Sequence, residues 1–209
     1  KAFCVGADLS DGEEGFRAGQ QSRREGPRCM PYKVRKPVIA AINGHAVGVG
    51  ITYPMLCDIR IVSESAKIQY AMVRRGILPE LGSHVLLPRV IGFSRAADLL
   101  LTGRLIMGTE AAEMGLASQA LPTEEVLPAA MTIARDIAEN VAPVSAALAK
   151  QLMWSGLTVG IDEMIAAEGR LLPGLIKAPD SGEGVRAFFE KRTPKWQMRV
   201  STDVPDLGI

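Results

Sequence analysis

"KPVIAAINGHAVGVG", Lys36 to Gly50, is the stretch on which the fold turns. Pro37 punctuates it, and Val38 to Ile42 then run apolar without a break until Asn43-Gly44. A short continuous apolar run between turn signals reads as a strand covered on both faces. Gly48-Val49-Gly50 follows. It begins like a dinucleotide-binding fingerprint, but the third glycine position holds Tyr53, and no acidic residue follows at a ribose-binding distance. That reading is rejected. What remains is physical. Glycines between a strand and a helix let another molecule come close to the backbone, and helix N-terminal N–H groups favour developing negative charge. A plain tight turn is the alternative.

Outward from this stretch, "FCVG" (Phe3 to Gly6) reads as the end of a strand. Residues 10–36 are polar and glycine-rich, a surface helix or a mobile loop. A second strand is expected at Ile59 to Val62, with a turn toward Lys67 to Tyr70. Beyond Gly82 helices dominate: Ser94 as N-cap to Gly103 as stop, Thr109 to Gly115, a helix from a Thr123 cap through Asn140, then Val144 to Trp154 and Ile161 to Leu172. "LASQAL" before Pro122 is one more strand, and "EGVRAFFEKR" the last helix. Strands alternating with helices, followed by helices alone, argue an α/β fold with a helical C-terminal part. The expected division is residues 1–140 and 141–209.

Composition narrows the function classes. The 209 residues are 47% hydrophobic and 22% charged, with a net charge of +1. That is ordinary globular composition with no basic excess for nucleic acid. Aromatic residues are 5%, too few for a base-stacking surface. Three scattered cysteines and two histidines argue for reduced thiols in a cytoplasmic setting and against a metal site. Val38 to Leu56 is as long as a membrane span, but Asn43, His45, glycines and Pro54 mark it as buried core. The chain opens on "KAFCVGADL", with no signal-peptide pattern.

Nucleophile and phosphate motifs fail. "GFSRA" around Ser94 lacks the second glycine of a nucleophile elbow, and no Gly-Lys-Ser/Thr loop occurs. Asp58 reads as a structural carboxylate, and Arg74 and Arg75 as solvated charge. Glu80, in "RRGILPELGSH", has two readings. It is a first-turn carboxylate behind a proline at a helix start, or a base aimed at a substrate.

Four segments together resemble the enoyl-CoA hydratase/isomerase (crotonase) superfamily: "AFCVGADL", "KPVIAAINGHAVGVG", "CDIRIVSESAKI" and "GILPELGSHVLLPRVIG". The tail "APDSGEGVRAFFEKRTPKW" resembles the family's C-terminal signature, with Trp196 where Phe is common. The resemblance implies a ClpP/crotonase-like spiral of ββα units whose first strands are missing from this chain, with a C-terminal helical trimerisation region. It also implies a homotrimer or dimer of trimers acting on acyl-CoA thioesters, coenzyme A being part of the substrate and no further cofactor or metal being needed.

Residue by residue, the resemblance puts an oxyanion hole on the backbone N–H groups of Ala7 and Val49. Val49 stands where many hydratases have Gly, similar to peroxisomal-type Δ3,Δ2-enoyl-CoA isomerases. The two hydratase glutamates correspond to Thr52 and Met72, neither of which can serve as the base. Glu80 corresponds to the catalytic Glu of the peroxisomal-type isomerases. CoA contacts are expected from Cys4, Asp8 and Leu9, beside the Gly48 loop, and from Phe188 and Lys191 toward a neighbouring subunit. Ser10 stands where the family often has a phosphate-binding Lys. His45 and Tyr70 are candidates to line the acyl pocket, with core packing as the alternative. The implied activity is a 3-enoyl to 2-enoyl shift. The alternatives are hydration of 2-enoyl-CoA in fatty-acid β-oxidation and non-catalytic acyl-CoA binding.

Overall fold

The computed structural model describes residues 2–8, 12 and 29–208. Among them the chain forms seven strands and eight α-helices. It divides into two compact units, Lys1–Pro31 with Ile39–Ala130, and Tyr32–Val38 with Met131–Ile209. The division falls inside the long helix, at Ala130 rather than after Asn140.

In the first unit the Lys36 to Gly50 stretch gives β2 (Ile39–Ile42), β3 (His45–Val47) and the start of α1 (Val49–Thr52). Asn43-Gly44 does not close a hairpin. β2 and β3 lie in different sheets: one runs β1-β3-β5-β6, with β1 at Ala2–Cys4, β5 at Lys67–Gln69 and β6 at Leu105–Met107. The other runs β2-β4-β7, with β4 at Ile59–Ser63 and β7 at Gln119–Leu121. From β2 to β5 the chain repeats one pattern, a strand in the second sheet, a strand in the first, then a helix or 3₁₀ turn, after which β6 adds to the first sheet beside β5 and β7 to the second beside β4. Each strand pairs in parallel with its counterpart in the next repeat, as Ile39 with Ile59 and Ala46 with Ile68. Only β6 against β5 is antiparallel. Parallel strands covered on both faces need continuous apolar runs, which "VIAAI" supplies. Ile42, Ile51, Ile61, Ile68, Leu87 and Leu99 are all but inaccessible to solvent.

Helices α2 (Ser83–Ile91), α3 (Phe93–Thr102) and α4 (Gly108–Glu113) complete this unit, and α5 (Thr123–Asn140) leads out of it. Two capping expectations fail. Ser94 lies inside α3, whose N-cap is Gly92 with no side-chain cap. Thr123 is already helical, and its hydroxyl pairs with Ser63 Oγ of β4 at 2.7 Å. The expected stop at Gly103 stands, with Gly103 in the left-handed region at φ 56°. The apolar run Val38 to Leu56 is broken among β2, β3, α1 and a 3₁₀ turn at Pro54–Leu56. No described helix is long and apolar enough to cross a membrane.

The second unit packs α6 (Pro143–Ser155), α7 (Ile161–Lys177) and α8 (Pro179–Glu190). Residues 32–38 join it. Tyr32 and Trp154 rings lie 5.3 Å apart, and buried Lys150 donates from Nζ to the Lys36 carbonyl at 3.0 Å. Two buried carboxylates of α8 hold the tail that follows. Asp180 accepts the backbone N–H of Gln197 at 2.7 Å, and Glu183 that of Lys195 at 2.7 Å. Glu183 also accepts Arg192 at 2.6 Å, while the Trp196 ring lies over Gly184. The "DSGEG…TPKW" pattern therefore encodes a clasp between a helix and its own C-terminal extension.

Two outcomes test these constraints. A Cβ at residue 50 would lie 1.9 Å from the Cys4 carbonyl oxygen, and backbone cannot swing away. Gly50→Ala should therefore cost at least about 2 kcal/mol in denaturant unfolding. The Arg192 hydrogen bond, then the Lys195 N–H, holds the Glu183 carboxyl down at about 2. Its unfolded value is about 4.3. A depressed folded value contributes stability above the unfolded value and loses it as pH falls toward 2. Unfolding midpoints measured between pH 6 and pH 2.5 should drop more for the wild type than for Glu183→Gln, which should be the less stable of the two at pH 6.

Candidate functional site

The site begins where three glycines bring two segments together. Gly6 has φ 85° and Gly48 has φ 61°, backbone conformations that side chains disfavour. A Cβ at Gly48 would lie 3.8 Å from Gly6 Cα, so the two loops touch, and Gly50 rests on the Cys4 carbonyl. Ala7 and Val49 each follow one of the touching glycines. Neither amide is engaged in a turn or cap hydrogen bond to a described residue. Val49 opens α1, so its N–H belongs to a helix N-terminus, and Gly48 N–H is itself anchored to the Gln69 carbonyl at 3.0 Å. Val49 is 42% exposed.

Three residues along α1 stands Thr52, fully buried. Its hydroxyl donates to Glu80 Oε1 at 2.8 Å. Residues three apart on a helix share a face, so this bond brings the Glu80 carboxylate to the face of α1 that begins at Val49. The segment around Glu80 is not the helix start that "LPEL" suggests. α2 begins at Ser83 with Gly82 as N-cap, so Glu80 precedes the helix and its first turn. Instead, Leu81 and Gly82 both take left-handed conformations, φ 56° and 74°. For a branched side chain such as Leu81 this costs about 1–2 kcal/mol. The turn is held by Ser83, buried, whose N–H and hydroxyl both donate to the Glu80 carbonyl at 3.2 and 2.6 Å. Glu80 is thus fixed at both ends, its main chain by Ser83 and its carboxylate by Thr52.

Met72, at the second of the expected hydratase positions, is buried in a 3₁₀ turn, Ala71–Arg75, and carries no proton-transferring group. His45 is half-buried on β3 and accepts the Lys67 N–H at Nδ1, 3.0 Å, so one ring nitrogen serves the β3–β5 edge. Tyr70 is buried, with no partner for its hydroxyl among the described residues. Burial pushes its phenol well above the ordinary range, against a smaller opposing influence from Arg60. Cys4 is half-buried on β1, Cys29 exposed and Cys57 buried. Asp8 is exposed, and Leu9 and Ser10 lie outside the described residues. Phe188 and Lys191 belong to the second unit. Phe188 is exposed on α8, and Lys191 ends that helix with φ 52°.

The pairing of Thr52 with Glu80 is what sequence reasoning missed. It saw Thr52 only as a lost carboxylate, because nothing in the spacing of residues 52 and 80 announces a contact. The one available signal was the β-branched hydroxyl in an otherwise apolar helix, a group that must find a partner when buried.

Known proteins are similar to this chain along most of its length. Residues 1–199 match the family model for enoyl-CoA hydratase/isomerase. An enoyl-CoA hydratase of Alternaria alternata is 39% identical over 199 residues, 93% of this chain and 67% of the relative. The human mitochondrial enoyl-CoA hydratase domain-containing protein 2 is 36% identical over 200 residues, 93% of this chain and 68% of that protein. The crystal structure of an enoyl-CoA hydratase from Bacillus anthracis superimposes with a TM-score of 0.82 at 38% identity, covering 94% of this chain and 77% of the other.

Proposed function

Because the chain belongs to the enoyl-CoA hydratase/isomerase family, we propose that it moves a double bond of an enoyl-CoA thioester from the 3- to the 2-position, with Glu80 as the sole proton carrier. The observation that carries this reading is the Thr52–Glu80 hydrogen bond of 2.8 Å. It supports a single carboxylate at the face of α1 that begins at Val49, with a hydroxyl where a second carboxylate would be needed for hydration.

The chemistry follows from one base and two fixed dipoles. Glu80 takes a proton from C2 of the 3-enoyl thioester. The electron pair of that C–H bond forms the C1–C2 double bond of a dienolate, and the thioester oxygen becomes an oxyanion. The Ala7 and Val49 N–H groups donate to that oxygen, each worth about 3 kcal/mol where charge develops. As the carbonyl re-forms, the C2–C3 double bond appears. The electrons of the old C3–C4 bond then take the proton from the Glu80 acid at C4. No atom is gained or lost, and the carboxylate returns to its starting state. Coenzyme A enters as part of the substrate, through Cys4, Asp8, Leu9 and the Gly48 loop. In this reading the acyl chain passes His45 and Tyr70.

The same reading takes the protein as a homotrimer or dimer of trimers in which Phe188 and Lys191 approach a neighbour's CoA. An exposed apolar stripe on α7, Ile161, Ile165, Leu172 and Ile176, supports self-association. Three cysteines scattered along the sequence, at residues 4, 29 and 57, suit a reducing, cytoplasm-like compartment.

Hydration of 2-enoyl-CoA is the second reading. The names of the relatives favour it, the Alternaria and Bacillus proteins both being called enoyl-CoA hydratases. Thr52 and Met72 oppose it, since addition of water calls for a base toward water and an acid toward C2. Assays with 3-enoyl-CoA and 2-enoyl-CoA separate the two. Wild type should isomerise the first, and Glu80→Gln should lose about 1,000-fold in kcat/KM. Hydration of the second at full rate in Glu80→Gln would overturn the isomerase reading, and binding of either thioester without turnover would leave only a binding protein.

A further inference from the structure

Resting on the isomerase reading, we propose that Thr52 is the positioning residue of the reaction. It selects which oxygen of Glu80 carries the proton. Thr52 is the last residue of α1, and its N–H already completes the helical bond to the Gly48 carbonyl at 3.1 Å. A threonine hydroxyl within a helix ordinarily turns back to a preceding carbonyl. Here it donates across to Glu80 Oε1 instead, from a side chain with no solvent exposure. Being β-branched, Thr52 has little rotamer freedom with which to follow a moving carboxylate.

The consequence is an asymmetry between the two oxygens. Oε1 accepts from Thr52 whether Glu80 is a carboxylate or a carboxylic acid, because an acid keeps an accepting carbonyl oxygen. The proton removed from C2 therefore resides on Oε2, and Oε2 returns it to C4. A free glutamate would lose this choice, since the torsion at its carboxylate is broad and two-fold. Ser83 fixes the Glu80 main chain through its hydroxyl bond of 2.6 Å to the carbonyl, and the Thr52 bond then restrains the side-chain torsions that remain. A strained Leu81 beside it, at φ 56°, fits a backbone whose geometry is set for the carboxylate.

The test compares Thr52→Val, Thr52→Ser, Glu80→Gln and the Thr52→Val/Glu80→Gln double variant in the full-length protein, with trans-3-hexenoyl-CoA as substrate. Valine keeps the volume and removes the donor. Serine keeps the donor and loses a methyl group. Thr52→Val should lower kcat about 10- to 100-fold with KM changed less than about twofold, as expected of a misaligned catalytic group. Thr52→Ser should recover most of the loss, and adding Thr52→Val to Glu80→Gln should cost nothing further. Wild-type kcat in Thr52→Val overturns the proposal while leaving an inactive Glu80→Gln in force. Equal losses in the valine and serine variants, with lowered thermal midpoints, also overturn it, since packing would then explain both. Full activity in Glu80→Gln overturns the base assignment, and this role for Thr52 falls with it.

Discussion

Everything at the site depends on the absence of a side chain at residue 50. The Cys4 carbonyl occupies the space a Cβ would need, 1.9 Å away. That contact locks α1 against β1 and makes the loops after β1 and β3 neighbours. Ala7 and Val49 then become adjacent parts of one surface, although 42 positions separate them (49 minus 7). Close packing of this kind tolerates no methyl group, so the constraint is steric before it is chemical. In the proposed reaction the Ala7 and Val49 amides are donors only because backbone contact has put them side by side.

The second constraint is the turn at Glu80. A left-handed leucine persists only when its surroundings over-determine it. Ser83 supplies the determination from one side and Thr52 from the other, both buried. This is an arrangement of a kind often seen where a side chain must be aimed. It also explains why a hydroxyl is found at residue 52, where an apolar helix would otherwise be expected to place a valine or leucine. The proposed reaction asks for one carboxylate with a fixed direction, and that is what these three residues provide.

Much of the fold was legible. "VIAAI" gave β2 because a continuous apolar run suits a doubly covered parallel strand, and the helices from Thr123 onward followed their periodicity. The short strands β3 and β6 were not foreseen, since three residues carry no period. Helix N-termini were misjudged at Ser94 and Thr123 because polar residues near a helix start can serve tertiary partners instead of capping. Glu80 was read as a helix-start candidate because Pro-Glu has that local signature, and the two left-handed residues after it leave no mark in composition. The glycine loop, in contrast, was legible as a place of close approach, though not what approached it. That proved to be the chain's own Cys4 carbonyl.

The point at which the alternation of strands breaks has a consequence for how such a chain can change over evolutionary time. From β1 to β5 successive strands alternate between the two sheets, but β6 follows β5 in the same sheet, antiparallel to it and at its edge, and β7 then returns to the other sheet. A strand laid singly on an edge leaves the strands after it free to rejoin their own sheet. The winding can therefore be extended by one edge strand as well as by a whole turn.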